Sequence, residues 1–170
     1  SDPRVEGGSF YIGSDSYESA IKDIIAEKLY YLGFESDELI LSGLSMGSFG
    51  ALYYGAQLNP SGVIIGKPLV NIGTIAENMR LLRPEDFGTA LDVLMTNEQG
   101  VSAENIQNLN NKFWNVMAQS DISNTTFAIA YMQHDDYDAH AYAELFPLLS
   151  KQQARVISRG VPGRHNDDSP

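Results

Sequence analysis

The chain contains no cysteine. Disulfides, a cysteine nucleophile and thiolate-bound metals are thereby excluded, and the composition is compatible with a reducing compartment such as the cytoplasm. Basic residues are also scarce: 11 Lys and Arg stand against 22 Asp and Glu, a formal net charge of −11. Binding to a phosphate backbone needs the opposite balance, so nucleic acid is set aside as a main partner. The acidity reads as a solvated surface that aids solubility rather than as the footprint of a basic partner. No apolar run approaches membrane-spanning length. The start, SDPRVEGG, lacks the charged-then-apolar pattern of a signal peptide. There is no internal repeat and no low-complexity segment. What remains is a 170-residue chain, 43% hydrophobic, long enough for one domain with a sizeable core.

Residues 1–13 read as an irregular, glycine-containing start. Asp15 and Glu18 form a capping-box pattern, Ile21, Ile24, Ile25 and Leu32 recur on one helical face, and Gly33 suits a left-handed C-terminal position. The pattern predicts a helix over 16–32. Leu39-Ile40-Leu41 and Val63-Ile64-Ile65 are short all-apolar runs, the signature of strands buried on both faces. A helix from Met46 to Leu58 lies between them and ends at Asn59-Pro60. Further on, Thr74 with Glu77 makes a second capping box and Pro84 suits a first helical position. Ser102 caps a run whose Ile106, Leu109, Phe113, Val116 and Met117 share a face, read as core rather than ligand site. A third strand spans 127–132, a helix opens at Asp138 and runs to Leu149 with Pro147 inside its last turns, and a fourth strand spans 154–158. Gly160, Pro162 and Gly163 make the loop after it. Strands separated by helices imply right-handed crossovers and a mainly parallel sheet, an α/β fold whose sites form beyond the carboxyl ends of the strands.

The segment from Gly43 to Gly47, GLSMG, matches G-x-S-x-G. The pattern alone arises by chance in roughly one chain of this length in twenty. Its place between a buried strand and a helix is what a nucleophile elbow requires. The elbow serine sits in a turn of positive φ, where side chains two residues away would collide, and Gly43 and Gly47 remove both collisions. Gly50 and Ala51 are small enough to let the helix lie close to its strand. The amide of Met46, at the helix N-terminus, can face a developing oxyanion.

A serine hydroxyl needs a base, and there are three histidines. His165 lies in the loop beyond the fourth strand, His134 at the end of the third strand, and His140 inside the helix that follows, most simply as an exposed residue. In α/β-hydrolases the chain order is serine, acid, histidine, and only His165 leaves room for an acid on a separate strand end. Asp135, Asp136 and Asp138 all follow the third strand. Asp138 is better explained as the helix cap. Asp135 is nearer the strand end and is placed ahead of Asp136, with both as solvated loop acids the bland alternative. Gly7-Gly8-Ser9 is the one upstream glycine-rich candidate for a second oxyanion donor, and it lies a single helix before the elbow strand, one unit too close. His134 and the three aspartates could pass for metal ligands, but no H-E-x-x-H pattern is present and a metal hydrolase ranks last. Tyr11, Trp114 and Tyr137 are aromatic candidates for sugar stacking, with core or surface placement the simpler reading of each. Too few strands precede the elbow for the usual hydrolase sheet, and five residues follow His165. A single α/β-hydrolase-like domain over 1–170, incomplete at both ends, is therefore expected.

The strings GLSMGSFGALYYGA, GKPLVNIGTIAENMR, HDDYDAHAYAELF and SRGVPGRHNDD resemble the second Asp protein family of the accessory Sec secretion system of Gram-positive bacteria. The resemblance runs from about residue 3 to the C-terminus. It implies an α/β-hydrolase-type domain with a Ser–acid–His triad that O-acetylates N-acetylglucosamine on serine-rich repeat adhesins and takes part in their export. Carried over by motif, the nucleophile is Ser45, the base His165 and the acid Asp135. Members can use glutamate as the acid, so Asp135 stands as a shorter equivalent whose backbone must lie closer to the imidazole. The resemblance further implies a cytoplasmic protein, at most peripheral at the inner face of the membrane. Its partners would be the other accessory Sec Asp subunits, the accessory Sec motor ATPase and the glycosylated adhesin. No bound cofactor or metal is expected, and without a glycine-rich phosphate loop the acetyl donor stays unassigned. A carbohydrate or small-ester esterase and a non-catalytic subunit of a secretion complex are the alternatives.

Overall fold

The computed structural model describes residues 10–82 and 102–167. The chain order is helix α1 (Asp15–Leu32), a short 3₁₀ turn, strand β1 (Ile40–Leu44), α2 (Met46–Leu58), β2 (Gly62–Gly66), α3 (Ile72–Leu82), α4 (Ala103–Gln119), β3 (Thr126–Met132), α5 (Ala141–Lys151) and β4 (Arg155–Val161). The four strands pair in sequence order and every pairing is parallel. This is the sheet expected of strand–helix alternation. The Pro84 helix start and the Gly7-Gly8-Ser9 segment lie outside the described residues.

The helix boundaries depart from the sequence pattern where tertiary partners supply the caps. Ser14, not Asp15, caps α1 by accepting from the Tyr17 amide. Gly33 closes α1 in the left-handed region, as expected. Helix α3 starts two residues before Thr74, so the Thr74–Glu77 box is not its N-terminus. Instead the Asn110 side-chain oxygen accepts from the Gly73 and Thr74 amides at 2.9 and 3.1 Å, and the Asn110 amide donates to the Thr74 hydroxyl. Asn110 belongs to α4, so one helix satisfies the orphan donors of another. Ser102 does cap α4 as predicted. Helix α5 begins at Ala141 rather than Asp138, with exposed His140 at its N-cap position, and runs through Pro147. Gly160 lies within β4, paired with Tyr131, rather than in a loop.

The expectation of strands buried on both faces is overturned. Leu41, Val63, Ile65, Phe127 and Ile129 point to the face on which α2 packs. The alternate positions cross the sheet in register, Ser42 to Ile64 to Ala128 to Ile157, and there Ile64 and Ile157 are exposed, as are Ile40 and Leu44. An all-apolar run therefore reported strand identity but not two-sided burial. The periodic face of α1 is likewise only partly used: Ile21 and Ile25 are half-buried, whereas Ile24 and Leu32 are exposed.

The core lies on the helical side. Phe49 and Leu52 of α2, Phe113 and Met117 of α4, and Leu145 and Leu149 of α5 are fully buried, each contributing about 1.5–3 kcal/mol by burial. Phe49 stacks on Tyr53 at 5.5 Å and packs against Phe113 at 5.6 Å. The approach of α2 to the sheet depends on Gly55, where a Cβ would press on Val63. Gly50 faces the Tyr11 ring rather than a strand. Among the described residues no helix is long and apolar enough to cross a membrane.

Glu18, read from the sequence as a capping residue, is buried and joins three elements. Its carboxylate accepts from the Tyr53 hydroxyl at 2.9 Å and the Gly13 amide at 3.0 Å and pairs with Lys112 of α4. Burial, then the hydrogen bond to Glu18, pushes the Tyr53 phenol well above its ordinary value, so it stays a donor at every physiological pH. Glu18→Ala leaves that buried hydroxyl without its acceptor. Urea denaturation should register a loss of about 1–3 kcal/mol, with an unchanged m value if the native state is otherwise intact.

Candidate active site

The site is assembled at the carboxyl ends of the four strands, and its strained point is Ser45. This residue follows β1 and precedes α2 with φ 55° and ψ −119°. A non-glycine residue there costs of order 1–3 kcal/mol and persists only when its surroundings over-determine it. They do so here. The Ser45 amide donates to Gly66 O at 2.9 Å. Its carbonyl accepts from the Ser48 amide at 2.8 Å and from the Ser48 hydroxyl. The Ser48 hydroxyl, fully buried, also accepts from the Leu69 amide at 3.0 Å. The Met46 amide, at the first position of α2, has no carbonyl above it in the helix.

The two elbow glycines are not equivalent. A Cβ at Gly43 would fall well inside the van der Waals radii of the Gly47 carbonyl and the Ser48 amide. A Cβ at Gly47 would meet nothing within 4 Å. The expectation of two collisions is thus corrected to one: the turn brings the backbone of Gly47 onto Gly43, and only Gly43 must be bare.

His165 is 2% exposed. Its Nε2 lies 2.7 Å from Ser45 Oγ and its Nδ1 lies 2.8 Å from Asp135 Oδ2. Serine, histidine and aspartate therefore form one hydrogen-bonded chain. With a carboxylate at Nδ1, the ring proton resides on Nδ1 and the Nε2 lone pair faces the hydroxyl. The other oxygen of Asp135 accepts from the Tyr137 and Asp138 amides at 2.8 and 3.1 Å. Burial pushes the Asp135 carboxyl up, but the hydrogen bonds from His165, Tyr137 and Asp138 together outweigh it and hold the group below the ordinary aspartate value. It is ionised at neutral pH.

The three aspartates divide the work. Asp136, the second-ranked acid, does not reach the ring; its carboxylate accepts from the His165 backbone amide at 3.0 Å and fixes the loop. Asp138 does not cap its own helix. Its Oδ2 accepts from the Val70 and Asn71 amides ahead of α3, and its Oδ1 from the Asn71 side chain. Burial pushes its carboxyl up, against these hydrogen bonds. His134 is exposed, and its amide donates to Gly163 O at 3.0 Å, which ties the loop after β3 to the loop carrying His165.

Two further participants take places that the sequence does not indicate: Lys67 is not singled out there, and Tyr137 is named only as a candidate for sugar stacking. Lys67, just after β2, is buried with φ 51°, and its ammonium donates to Asp167 O at 3.2 Å, two residues beyond His165. Tyr137 stacks on the His165 ring. Of the other aromatic candidates, Trp114 donates to the Asn71 side chain at 2.9 Å and Tyr11 lies against α2 through the Tyr54 hydroxyl. Beside Tyr137 a cavity of about 770 Å³ opens between α3, α4 and the loop before α5, lined by Asn78, Asn110, Trp114 and His140 among others. Among the described residues no cluster of three or more His, Asp or Glu is arranged to hold a metal ion.

The geometry yields two expected outcomes. Gly43→Ala should destabilise the fold by about 1–3 kcal/mol or more, whereas Gly47→Ala should leave the melting temperature at or above wild type. Equal losses in thermal unfolding would contradict the one-sided clash. Asp135 has a folded value below its unfolded one. Its ionised form therefore contributes stability that is complete above about pH 4 and is lost as pH falls through the folded value. The stability gap between wild type and Asp135→Asn should narrow on acidification below about pH 4. A gap constant from neutral pH down through that range would count against the carboxylate assignment.

A family model described as Asp2, accessory Sec system GspB-transporter, matches residues 1–170. The chain is 69% identical over 169 residues to the accessory Sec system protein Asp2 of Staphylococcus aureus, covering 99% of this chain and 32% of that protein. It is 48% identical to Asp2 of Streptococcus gordonii, covering 99% and 33%. The chain thus spans about a third of the length of these curated relatives. Among solved structures, one chain of the Glycosylation Associate Protein (Gap123) complex from Streptococcus agalactiae superposes with a TM-score of 0.87 at 51% identity, over 98% of this chain and 32% of that one. A capsule O-acetyltransferase of Neisseria meningitidis serogroup A superposes at 0.71 with 20% identity, over 94% and 63%. FphF, a fluorophosphonate-binding serine hydrolase of Staphylococcus aureus, superposes at 0.58 with 15% identity, over 93% and 61%. The last two likenesses show the fold alone, an α/β-hydrolase-like frame.

Proposed function

This chain belongs to the Asp2 family of accessory Sec system proteins, and from that premise we propose that it is a serine-dependent O-acetyltransferase. It acts on N-acetylglucosamine of serine-rich repeat glycoproteins and takes part in their accessory Sec export. The observation that carries the reading is the hydrogen-bonded chain from Ser45 through His165 to ionised Asp135. It works in the cytoplasm, at most peripheral to the inner face of the membrane, with the other accessory Sec Asp subunits and the accessory Sec motor ATPase.

The chemistry runs in two transfers. Ser45 Oγ gives its proton to His165 Nε2 and attacks the acetyl carbonyl of a donor. The oxyanion that forms is met by the Met46 amide, and the imidazolium by the Asp135 carboxylate. Collapse expels the donor's leaving group, which takes the proton from Nε2 and leaves acetyl-serine. A sugar hydroxyl then gives its proton to Nε2 and attacks the acetyl carbon. Release of Ser45 Oγ, reprotonated by the imidazolium, closes the cycle. The cavity beside Tyr137 is the candidate acceptor site: amide, hydroxyl, aromatic and carboxylate groups line it, Asp136, Asp138 and Glu144 among them, and these can hydrogen-bond sugar hydroxyls, while Ser45 and His165 lie outside its lining.

In the intact protein, Ser45→Ala should lower acetyl transfer to glycosylated substrate by up to about 10⁶ and abolish labelling by a fluorophosphonate, with Ser45→Ala/His165→Ala no worse than Ser45→Ala alone. Wild-type transfer by Ser45→Ala would defeat the mechanism. Release of acetate alone from an activated acetyl ester, with no acetyl sugar when an acceptor is supplied, would favour an esterase. Absence of labelling in the folded wild type would favour a non-catalytic subunit of the secretion complex.

A further inference from the structure

We propose that Tyr137 is the positioning residue of the Ser45–His165–Asp135 chain, holding the imidazole plane with its ring and the carboxylate with its backbone. The inference rests on the acetyl-transfer reading above and extends it to a residue for which neither motif nor spacing gives a role.

The Tyr137 and His165 rings are stacked, with centroids 4.2 Å apart and planes within 5° of parallel. The same residue's amide donates to Asp135 Oδ1 at 2.8 Å, while Oδ2 of that carboxylate takes His165 Nδ1. Its hydroxyl accepts from the Asn166 side chain at 2.9 Å. One residue thus touches the acid, the base and the neighbour of the base.

This matters because of what the two imidazole hydrogen bonds leave undetermined. The torsion that turns a histidine ring is soft and broad. The two ring nitrogens point in divergent directions within the ring plane, so rotation about that torsion swings both away from their partners. Hydrogen bonds weaken steeply with such misalignment. A flat surface against one ring face opposes the rotation without using either nitrogen. The Tyr137 amide works on the other side of the same contact, turning the carboxylate so that Oδ2 faces Nδ1. When Nε2 takes the serine proton, the phenol face also lies within the reach of a cation–π contact, about 6 Å. Tyr137 is partly buried and packs against the edge of the core, so the test must separate ring positioning from packing.

The test uses the intact protein with Tyr137→Leu, which removes the flat face, and Tyr137→Phe, which keeps the face and loses the hydroxyl. Turnover of an activated acetyl ester should fall about 10–10²-fold in kcat for Tyr137→Leu, with KM nearly unchanged, and Tyr137→Phe should recover most of it. A fold defect would instead lower the active fraction, seen as incomplete fluorophosphonate labelling. Wild-type kcat in Tyr137→Leu, or equal losses in the two variants, would overturn the proposal. A second readout does not need turnover. The far-downfield proton on His165 Nδ1 should be protected from exchange in the wild type and in Tyr137→Phe and lost in Tyr137→Leu; its persistence in Tyr137→Leu overturns the positioning role. If no Ser45-dependent turnover exists, the acetyl-transfer reading fails while this proton still decides the role of Tyr137. If Tyr137→Leu does not fold, the wild type serves: the His165 ring protons should resonate upfield of free histidine under a stacked phenol, and ordinary shifts would remove the stack and the proposal with it.

Discussion

The left-handed backbone at Ser45 is the constraint around which the strand ends are arranged. A serine at φ 55° is unfavourable in isolation, and each neighbour answers one part of that cost. The Gly66 carbonyl takes the Ser45 amide, so β2 fixes the turn from the side. Ser48 holds the Ser45 carbonyl from within α2 and accepts the Leu69 amide beyond β2. Gly43 yields the space into which the Gly47 carbonyl folds. The result is a hydroxyl lifted out of both the strand and the helix, aimed at a histidine 120 residues away in sequence.

The histidine itself is held less by its own loop than by the loops beside it. Asp136 takes its backbone amide, Asp135 its ring, and the His134 amide the carbonyl of Gly163. From the other side Lys67 reaches the carbonyl of Asp167. A buried lysine of positive φ, whose ammonium meets one backbone carbonyl among the described residues, is an expensive feature. Its position ties the end of β2 to the loop of β4. All four strand ends thereby contribute, which is the geometric reason that sites in parallel sheets form there.

The sheet is one-sided among the described residues: helices bury one face, and Ile40, Leu44, Ile64 and Ile157 stand on the other. Parallel sheets in α/β proteins ordinarily have both faces covered. The curated relatives are about three times as long as this chain. Their whole-protein activities therefore bear on this chain as proposals, while the hydrolase-like frame and the family are properties of the residues in hand.

What could be read from the sequence was what local sterics and periodicity control. The elbow serine, its glycine at 43, the alternation of strand and helix and the chain order of serine, acid and histidine all follow from short-range rules, and the parallel sheet follows from the alternation. The resemblance then narrowed a generic hydrolase motif to one family. What only the tertiary structure decided was the assignment of partners between segments distant in sequence. Asp138 looked like a cap for the helix next to it, yet its carboxylate serves the amides ahead of α3, 67 and 68 residues away. Thr74 looked like a cap, yet Asn110 of α4 supplies the acceptor. Asp135 and Asp136 are adjacent and chemically identical, and a side chain's direction in a loop is set by what it meets, so only the packed loops separate ring partner from backbone partner. The stacking of Tyr137 on His165 and the open face of an all-apolar strand are of the same kind. Periodicity reports which residues share a face; which surface meets that face is determined by the rest of the fold.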